Sequence, residues 1–154
     1  MKITSQEEYG LRCLLQLVRA SSYQQVVSVK EVAAKEGLSH AYVEKLLRLL
    51  ARAGLVHSVR GVRGGYVLNR PATSIALGEV VRALGTVQTV DHICQQFTGN
   101  LRVCIHFRNC GIRSIWSGLT TYIQRFLDQT TLDQLLENEY VVSERLEKSP
   151  SRRT

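Results

Sequence analysis

Three cysteines lie close together in a stretch of the chain that has neither helical nor strand periodicity. Cys94, Cys104 and Cys110 are spaced C-x9-C-x5-C between positions 91 and 113. Thiolates this close in sequence can converge on one centre, because a loop containing Gly99 folds back at low entropic cost.

Iron-sulfur clusters prefer thiolate ligands, and zinc with three cysteines and one histidine or carboxylate fits the same residues. The spacing lacks the paired CxxC of common zinc modules, so it favours a cluster over zinc. Reduced, unliganded cysteine is the remaining interpretation.

The fourth cysteine and the N-terminus bear on the compartment. Cys13 falls among leucines at helical spacing, which predicts a small core residue rather than a ligand. The N-terminus has no signal-peptide segment and the chain has no apolar run of about 18 residues, so we expect a cytoplasmic protein. Cysteines are usually reduced there, which favours a metal or redox site over a structural disulfide.

Charge is divided unevenly along the 154 residues, whose formal net charge is +7. Residues 1–70 carry 11 Lys and Arg against 5 Asp and Glu, whereas residues 71–154 carry 9 against 8. A basic half attached to a nearly neutral half indicates that the first half binds a polyanion, or else that it has a solvated basic surface.

The first helix is predicted to begin at Ser5. Ser5 and Glu8 have the spacing of a capping box, in which the hydroxyl and the carboxylate each bond the other residue's backbone amide. Apolar residues at helical spacing continue to about Ala20, so this helix buries one face.

Two further helices follow at helix-turn-helix spacing. A second capping box at Ser28 and Glu31 starts one helix, and Gly37 stops it. Ser39 caps the next helix, which ends at Gly54 and has an apolar inner face. Two short helices joined by a Gly-Leu-Ser turn predict a helix-turn-helix.

A basic hairpin is predicted directly after these helices. The alternating runs 55–59 and 66–70 are separated by RGVRGG, whose glycines at 61, 64 and 65 permit the positive φ of tight hairpin loops. Arg60 and Arg63 project from the tip, so the hairpin is predicted to be the wing of a winged helix.

The winged helix predicts a DNA-binding surface. In this motif the N-terminal part of the third helix reads base edges in the major groove, while phosphate contacts fix its position. The predicted base or sugar contacts are Ser39, His40 and Tyr42; the predicted phosphate contacts are Lys45, Arg48 and Arg52, with Arg60 and Arg63 on the wing.

The second half is predicted to pair with a second protomer. A short helix covers about 77–84, and from Ile112 an apolar stripe continues for about four turns. The stripe consists of Ile112, Ile115, Trp116, Leu119, Ile123, Phe126 and Leu127. A winged helix closes its own core, so the stripe needs another surface, either the same helix of a second protomer or its own domain. A dimer would present two recognition helices to a palindromic site.

The predicted fold is therefore mainly α with a small β-hairpin. Residues 1–84 form the winged helix-turn-helix domain with its following short helix, and residues 85–111 the cysteine-bearing cofactor loop. Residues 112–143 form the dimerisation helix and a short last helix capped by Thr131, and residues 144–154 a disordered tail.

The winged helix, the RGVRGGY wing, the SIALGEV segment and the cysteine loop before a long helix together resemble the Rrf-type transcription regulators, the family of IscR, NsrR and CymR. The resemblance covers about residues 1–138 and implies a homodimer that binds palindromic operators. It also implies that Cys94, Cys104 and Cys110 hold an iron-sulfur cluster. A two-iron form with mixed cysteine and oxygen ligation is favoured over a four-iron form.

The resemblance also bears on the fourth ligand. Arg113 stands where the iron-sulfur regulator of the family carries its histidine ligand, and an arginine cannot ligate iron because it stays protonated. Glu8 lies where the nitric-oxide-sensing member carries an aspartate ligand from the partner subunit, so Glu8 is the first choice. His106 inside the loop is the alternative, and His92 and solvent are also open.

The predicted function is a homodimeric, DNA-binding regulator that senses iron-sulfur or redox status through its cysteine loop. It is predicted to be a repressor, with an activator also open. The alternative is a cofactor-free winged-helix repressor controlled by a protein partner or by cysteine oxidation. The chain contains no nucleophile and base set, no phosphate-cradling loop and no close carboxylate pair, which argues against an enzyme.

Overall fold

The computed structural model describes residues 3–21, 25–85, 94, 99–101, 104–107, 109–137 and 139–148. The helices are α1 (Ser5–Ser21), α2 (Val29–Glu36), α3 (His40–Arg52), α4 (Leu77–Leu84), α5 (Gly111–Gln129) and α6 (Glu139–Lys148). The strands are β1 (Val56–Val59) and β2 (Gly65–Leu68), and short 3₁₀ helices cover Ala72–Ser74 and Leu132–Leu136. This architecture confirms the predicted fold class, a mainly helical chain with one antiparallel hairpin.

The cap of α1 lies one residue earlier than predicted. Thr4 is the capping residue: its hydroxyl accepts from the Glu7 amide at 3.2 Å, and the Glu7 carboxylate accepts from the Thr4 amide at 2.7 Å. The predicted box at Ser5 and Glu8 is therefore wrong, because the helix already begins at Ser5. As a consequence, the exposed Glu8 carboxylate is not used by the cap.

The helix-turn-helix has the predicted caps. Ser28 and Glu31 form a reciprocal capping box at 3.0 and 3.1 Å, and these hydrogen bonds lower the pKa of the Glu31 carboxyl. Gly37 ends α2 in the left-handed region with φ 65°, a conformation that favours glycine. The Ser39 hydroxyl accepts from the Tyr42 amide at 3.3 Å and starts α3.

The hydrophobic core lies between α1, α3 and α4. Cys13 is fully buried within it, as predicted, and burial is the main cause that raises the pKa of its thiol to about 11. A polar contact fixes the end of α2 on α1: the Glu36 carboxylate accepts from the side chains of Arg12, at 3.0 Å, and Gln16. The core side chains include Leu14, Leu17, Val32, Val43, Leu46, Leu47, Leu50, Leu55, Val56, Ile75, Val80, Leu84 and Leu132.

The wing is an antiparallel pair in which Val56 faces Leu68 and Val59 faces Gly65. Of the three glycines predicted to use positive φ, only Gly61 does so, at 124°. Gly64 and Gly65 are required by space instead. A Cβ on Gly65 would lie 2.2 Å from the Val27 carbonyl oxygen, because Val27 forms an isolated bridge with Tyr66 beside the hairpin.

After α5 the chain returns to the first domain. The Leu77 amide donates to the Thr130 carbonyl at 2.7 Å, and Leu132 is fully buried in the core. Thr131 precedes the 3₁₀ helix, but its hydroxyl donates to the Asp133 carboxylate instead of capping the backbone.

The predicted disorder from residue 144 is corrected in part. Helix α6 continues to Lys148, and the Arg145 side chain pairs with Glu137 at 2.8 Å. The Arg145–Glu137 ion pair supports this helix, and the charged composition of the segment alone does not predict that pair. Residues 149–154 lie outside the described residues.

Candidate nucleic-acid interface and cysteine loop

Helix α3 presents an exposed basic face. Its apolar side faces the core, so His40, Lys45, Arg48 and Arg52 are left on the opposite, exposed side. Ser39 is also exposed, but its hydroxyl is already used as the cap. These exposed side chains are therefore accessible to a nucleic acid, while the Ser39 hydroxyl already accepts one hydrogen bond from the backbone.

Tyr42 departs from the outward orientation expected of it. The side chain is half-buried and packs against the core, and its ring meets that of Tyr9 edge to face with centroids 6.3 Å apart. The ring contact supports the start of α3 on α1. A base contact by Tyr42 would have to use the edge that remains exposed.

Arg48 is paired within its own helix. Its guanidinium lies 2.6 Å from the Glu44 carboxylate, one turn earlier, and the contact lowers the pKa of Glu44. Glu44 partly neutralises the basic face, so Lys45 and Arg52 carry more of its net positive charge. The i,i+4 spacing of Glu44 and Arg48 in the sequence is itself a signal for this pair.

The tip of the wing is basic and exposed. Arg60 and Arg63 lie on the loop between β1 and β2, on either side of the fully exposed Val62. The Gly64 amide closes the tip by donating to the Gly61 carbonyl at 2.9 Å. Both arginines are free of any ion pair in the part of the chain that the structure describes, so their charges are open to phosphates.

The three loop cysteines are free thiols, and each is partly exposed. Cys104 accepts through its carbonyl from the Phe107 amide at 3.0 Å, closing a turn, and Cys110 directly precedes α5 as its cap residue. Within the described ranges, no three His, Cys, Asp or Glu side chains are placed to hold a metal ion together. The donor types fit an iron-sulfur cluster, but a single protomer in this conformation does not assemble them.

Arg113 has a structural contact in place of a ligand role. Its guanidinium donates to the Phe107 carbonyl and lies over the Phe107 ring, 5.0 Å from the centroid. Its Nε is buried and has no hydrogen-bond partner among the described residues. Arg113 therefore connects the first turn of α5 to the Cys104–Phe107 turn. The sequence showed only that Arg113 could not ligate iron.

The candidates for the fourth ligand are differently placed. Glu8 is exposed on the first turn of α1 with no capping role, and His106 is exposed inside the Cys104–Phe107 turn. His92 lies outside the described residues. The structure of one chain thus leaves both Glu8 and His106 accessible, and it does not bring either together with the three cysteines.

Helix α5 carries no buried residue, and much of its predicted apolar stripe is exposed to solvent. Ile115 is 71% exposed and Trp116 51%, and Tyr122, which is outside the predicted stripe, adds a further exposed ring. Part of the stripe packs on its own domain, which is the alternative predicted from the sequence: α5 contacts α4, and Ile123 and Leu127 are half-buried. The rest of the stripe, including Ile115 and Trp116, stays exposed.

The described residues include no helix that is both long enough and apolar enough to cross a membrane.

Comparison with known proteins gave matches over most of the chain. A family model described as Rrf2, an iron-dependent transcriptional regulator, matches residues 3–138. The HTH-type transcriptional regulator IscR of Vibrio campbellii is 35% identical over 142 residues, covering 92% of this chain and 81% of that protein.

Two solved structures match over similar lengths. T. potens IscR is similar with a TM-score of 0.69 and 29% identity, covering 99% of this chain and 94% of that one. The oxidized form of Staphylococcus aureus CymR has a TM-score of 0.69 and 31% identity, covering 90% and 98%. These similarities extend across the winged helix and the long helix rather than a single motif.

Proposed function

The chain belongs to the Rrf2 family of iron-dependent transcriptional regulators, and on that premise we propose that it is a homodimeric DNA-binding regulator controlled by its cysteine loop. Regulators of this family bind DNA, and the family consists of regulators rather than enzymes. The observation that carries the proposal is the pairing of an exposed basic α3 face and wing with an unburied α5 stripe on one chain.

DNA binding is assigned to α3 and the wing. The N-terminal part of α3 reads base edges in the major groove. Its base or sugar contacts come from Ser39, His40 and the exposed edge of Tyr42. Lys45, Arg48 and Arg52 contact phosphates, as do Arg60 and Arg63 from the wing. The electrostatic part of this binding decreases with salt because each phosphate contact releases counterions.

The wing assignment is tested with R60A/R63A and a duplex selected by the wild-type protein from a random-sequence pool. We expect weaker binding and a salt dependence reduced by about one unit of log-log slope per lost phosphate contact. The matched control is R125A, which removes an exposed arginine from α5. Unchanged affinity and slope in R60A/R63A would show that the wing does not contact DNA.

Homodimerisation is assigned to α5. Burying several large apolar side chains against the same helix of a second protomer would remove them from water, at roughly 25 cal/mol per Å² of apolar surface. A two-fold pair would also place two copies of α3 on one duplex, which supports a palindromic operator.

Sensing is assigned to Cys94, Cys104 and Cys110, with an iron-sulfur cluster as the cofactor and a two-iron form favoured over a four-iron form. When bound, the cluster supplies reversible one-electron chemistry and sensitivity to iron supply or oxidants. Glu8 of the partner subunit is the proposed fourth ligand, with His106 as the alternative. Support comes from the three free thiols, the exposure of Glu8 and the IscR relatives.

The cluster is tested by iron content, acid-labile sulfide and the visible spectrum of anaerobically isolated protein. We expect a coloured protein whose visible absorbance is lost in C104A, while C13A keeps its colour because Cys13 is a core residue. Colourless protein with neither iron nor sulfide after anaerobic reconstitution would exclude the cluster.

A cofactor-free regulator is the second candidate. The observation that favours it is the partial exposure of all three thiols without a metal-binding group among the described residues, together with the similarity to an oxidized CymR structure. In that case cysteine oxidation or a protein partner controls DNA binding. A metal-free protein whose operator affinity changes on mild oxidation, but not in a triple Cys→Ala variant, would support oxidation as the control.

A further inference from the structure

A series of alternating charges connects α5 with the base of the wing. On α5, Asp128 accepts from the Arg82 guanidinium of α4 at 2.8 Å. One turn earlier on α4, Glu79 pairs with Arg70, which lies two residues beyond the last residue of β2. Arg82 and Glu79 lie on the same side of α4, because residues three apart on a helix are neighbours on its surface.

The wing end of this series is fixed by further hydrogen bonds. Arg70 also donates to the Ser74 carbonyl at 2.8 Å, so its guanidinium is held from two sides. Its neighbour Asn69 donates to the carbonyls of Gly54 at 2.7 Å and Val56 at 3.3 Å, at the junction of α3 and β1. A displacement of Arg70 would therefore also shift Asn69 and its hydrogen bonds to the segment that joins α3 to β1.

The α5 end depends on one glycine. A Cβ on the buried Gly78 of α4 would lie 2.0 Å from the Asp128 Oδ1 and 3.0 Å from the Arg82 Nη1. The Asp128 carboxylate thus lies directly over the backbone of α4, in space that any side chain at position 78 would fill. Because the displaced atom is the end of a side chain, the fold itself can tolerate the change.

We propose that Asp128, Arg82, Glu79 and Arg70 are positioning residues for the wing, through which the placement of α5 sets how the wing meets DNA. The proposal rests on the proposed function, because it takes the wing as a DNA contact and α5 as the dimer helix. Each exposed pair contributes little to stability by itself. Their effect is on geometry, since two adjacent bridges fix α4 to α5 at one end and to the wing at the other.

The test uses two variants that break the α5 end in different ways. D128N removes the charge, and G78A displaces the carboxylate while keeping every charge. E137Q is the matched control, because it removes a carboxylate from the exposed Arg145–Glu137 pair, which has the same 2.8 Å separation but lies outside the series. All are measured in the full-length chain with the duplex selected from a random-sequence pool.

We expect D128N and G78A to weaken DNA binding about two- to fivefold, the range of a lost exposed ion pair, with E137Q unchanged. In the R60A/R63A background, D128N should have no further effect, because the wing no longer contributes. Equal weakening in both backgrounds, or none in the wild-type background, would overturn the proposal.

A second measurement separates this proposal from the function on which it rests. Amide hydrogen exchange across β1 and β2 reports the wing without DNA, and we expect faster exchange in D128N and G78A than in E137Q. Unchanged exchange overturns the positioning role even if the wing binds DNA. If R60A/R63A binds DNA normally while exchange still rises, the wing contact fails and the positioning role stands.

Discussion

At the scale of single residues, Arg113 is the side chain whose substitution most directly tests the cysteine loop. Its donation to the Phe107 carbonyl and its contact with the Phe107 ring join α5 to the turn that begins at Cys104. R113A should raise the amide exchange rate of Phe107 several-fold and accelerate proteolysis within the loop. R113K should restore only part of this, because an ammonium lacks the planar stacking of a guanidinium.

The control for Arg113 is R125A, an exposed arginine on the same helix. If R113A and R125A showed the same exchange at Phe107, the guanidinium contact would not hold the turn.

Because of Cys13, we expect the free energy of unfolding to decrease at alkaline pH. Burial, assisted by the nearby Glu36, raises the pKa of its thiol from 9.0 to about 11. The folded state therefore keeps the proton after the unfolded chain has lost it, so the stabilisation is complete below pH 9 and is lost as pH rises to 11. The decrease in unfolding free energy attributable to Cys13 should be about 2 to 3 kcal/mol.

Urea unfolding of wild type and C13A at several pH values isolates this contribution from the other groups that titrate there. The two free energies should converge as pH rises from 9 to 11. Parallel pH profiles would show that the thiol does not ionise differently in the two states.

Residue roles were predictable where the local pattern decides them. Ser28, Gly37 and Ser39 act as predicted because caps depend on a few adjacent positions. At the N-terminus of α1 two overlapping patterns were possible, and the sequence did not distinguish Thr4 from Ser5. Helical periodicity predicts an outward Tyr42, but its ring packs on Tyr9, more than thirty residues away, a contact that periodicity does not reveal.

At the scale of elements, the wing makes different demands on its glycines. At Gly65 there is no room for a Cβ because the Val27 carbonyl lies too close. At Gly61 a Cβ would meet no other atom, but φ is 124°. G65A should break the Val27–Tyr66 bridge and cost more than about 2 kcal/mol of unfolding free energy, since backbone must move. G61A should cost about 1 kcal/mol or slightly more, from backbone strain alone.

Chemical denaturation of the two variants provides the comparison, with R60A as a wing substitution that alters neither backbone nor packing. A larger loss in G61A than in G65A would contradict the assignment of space to one glycine and conformation to the other.

Elements with strong periodicity were predicted closely, as α2, α3, α4 and α5 show. The hairpin was also predicted, but its third partner, Val27, was not, because a single bridging residue has no pattern of its own. The second half of α6, residues 144–148, falls in the predicted disordered tail because its sequence is charged. The stretch between α4 and α5 has no helical or strand periodicity, so the sequence predicts the candidate cofactor residues there but not their joint arrangement.

At the scale of the whole molecule, the exposed α5 stripe predicts a dimer that a single charge can dissociate. I115E places a carboxylate within the stripe, which would be buried without a partner in the dimer, so sedimentation should show a monomer. S117E adds the same charge to the opposite face of the helix and should stay dimeric. The monomer should bind the selected duplex at least tenfold more weakly, because it offers one recognition helix instead of two.

Glu8 and the cysteines can be assigned to one chain or two by mixing subunits. If the partner subunit's Glu8 completes each cluster, a heterodimer of E8A and C104A chains has one site with all four ligands and one with neither Glu8 nor Cys104. Such heterodimers, isolated through two different affinity tags and reconstituted anaerobically, should contain half the wild-type iron with a wild-type visible spectrum. Should Glu8 serve its own chain, no site in the heterodimer would be complete and the wild-type spectrum would be absent. S5A, on the same exposed turn, is the control, and an E8A homodimer with an unchanged spectrum would exclude Glu8 and direct attention to His106.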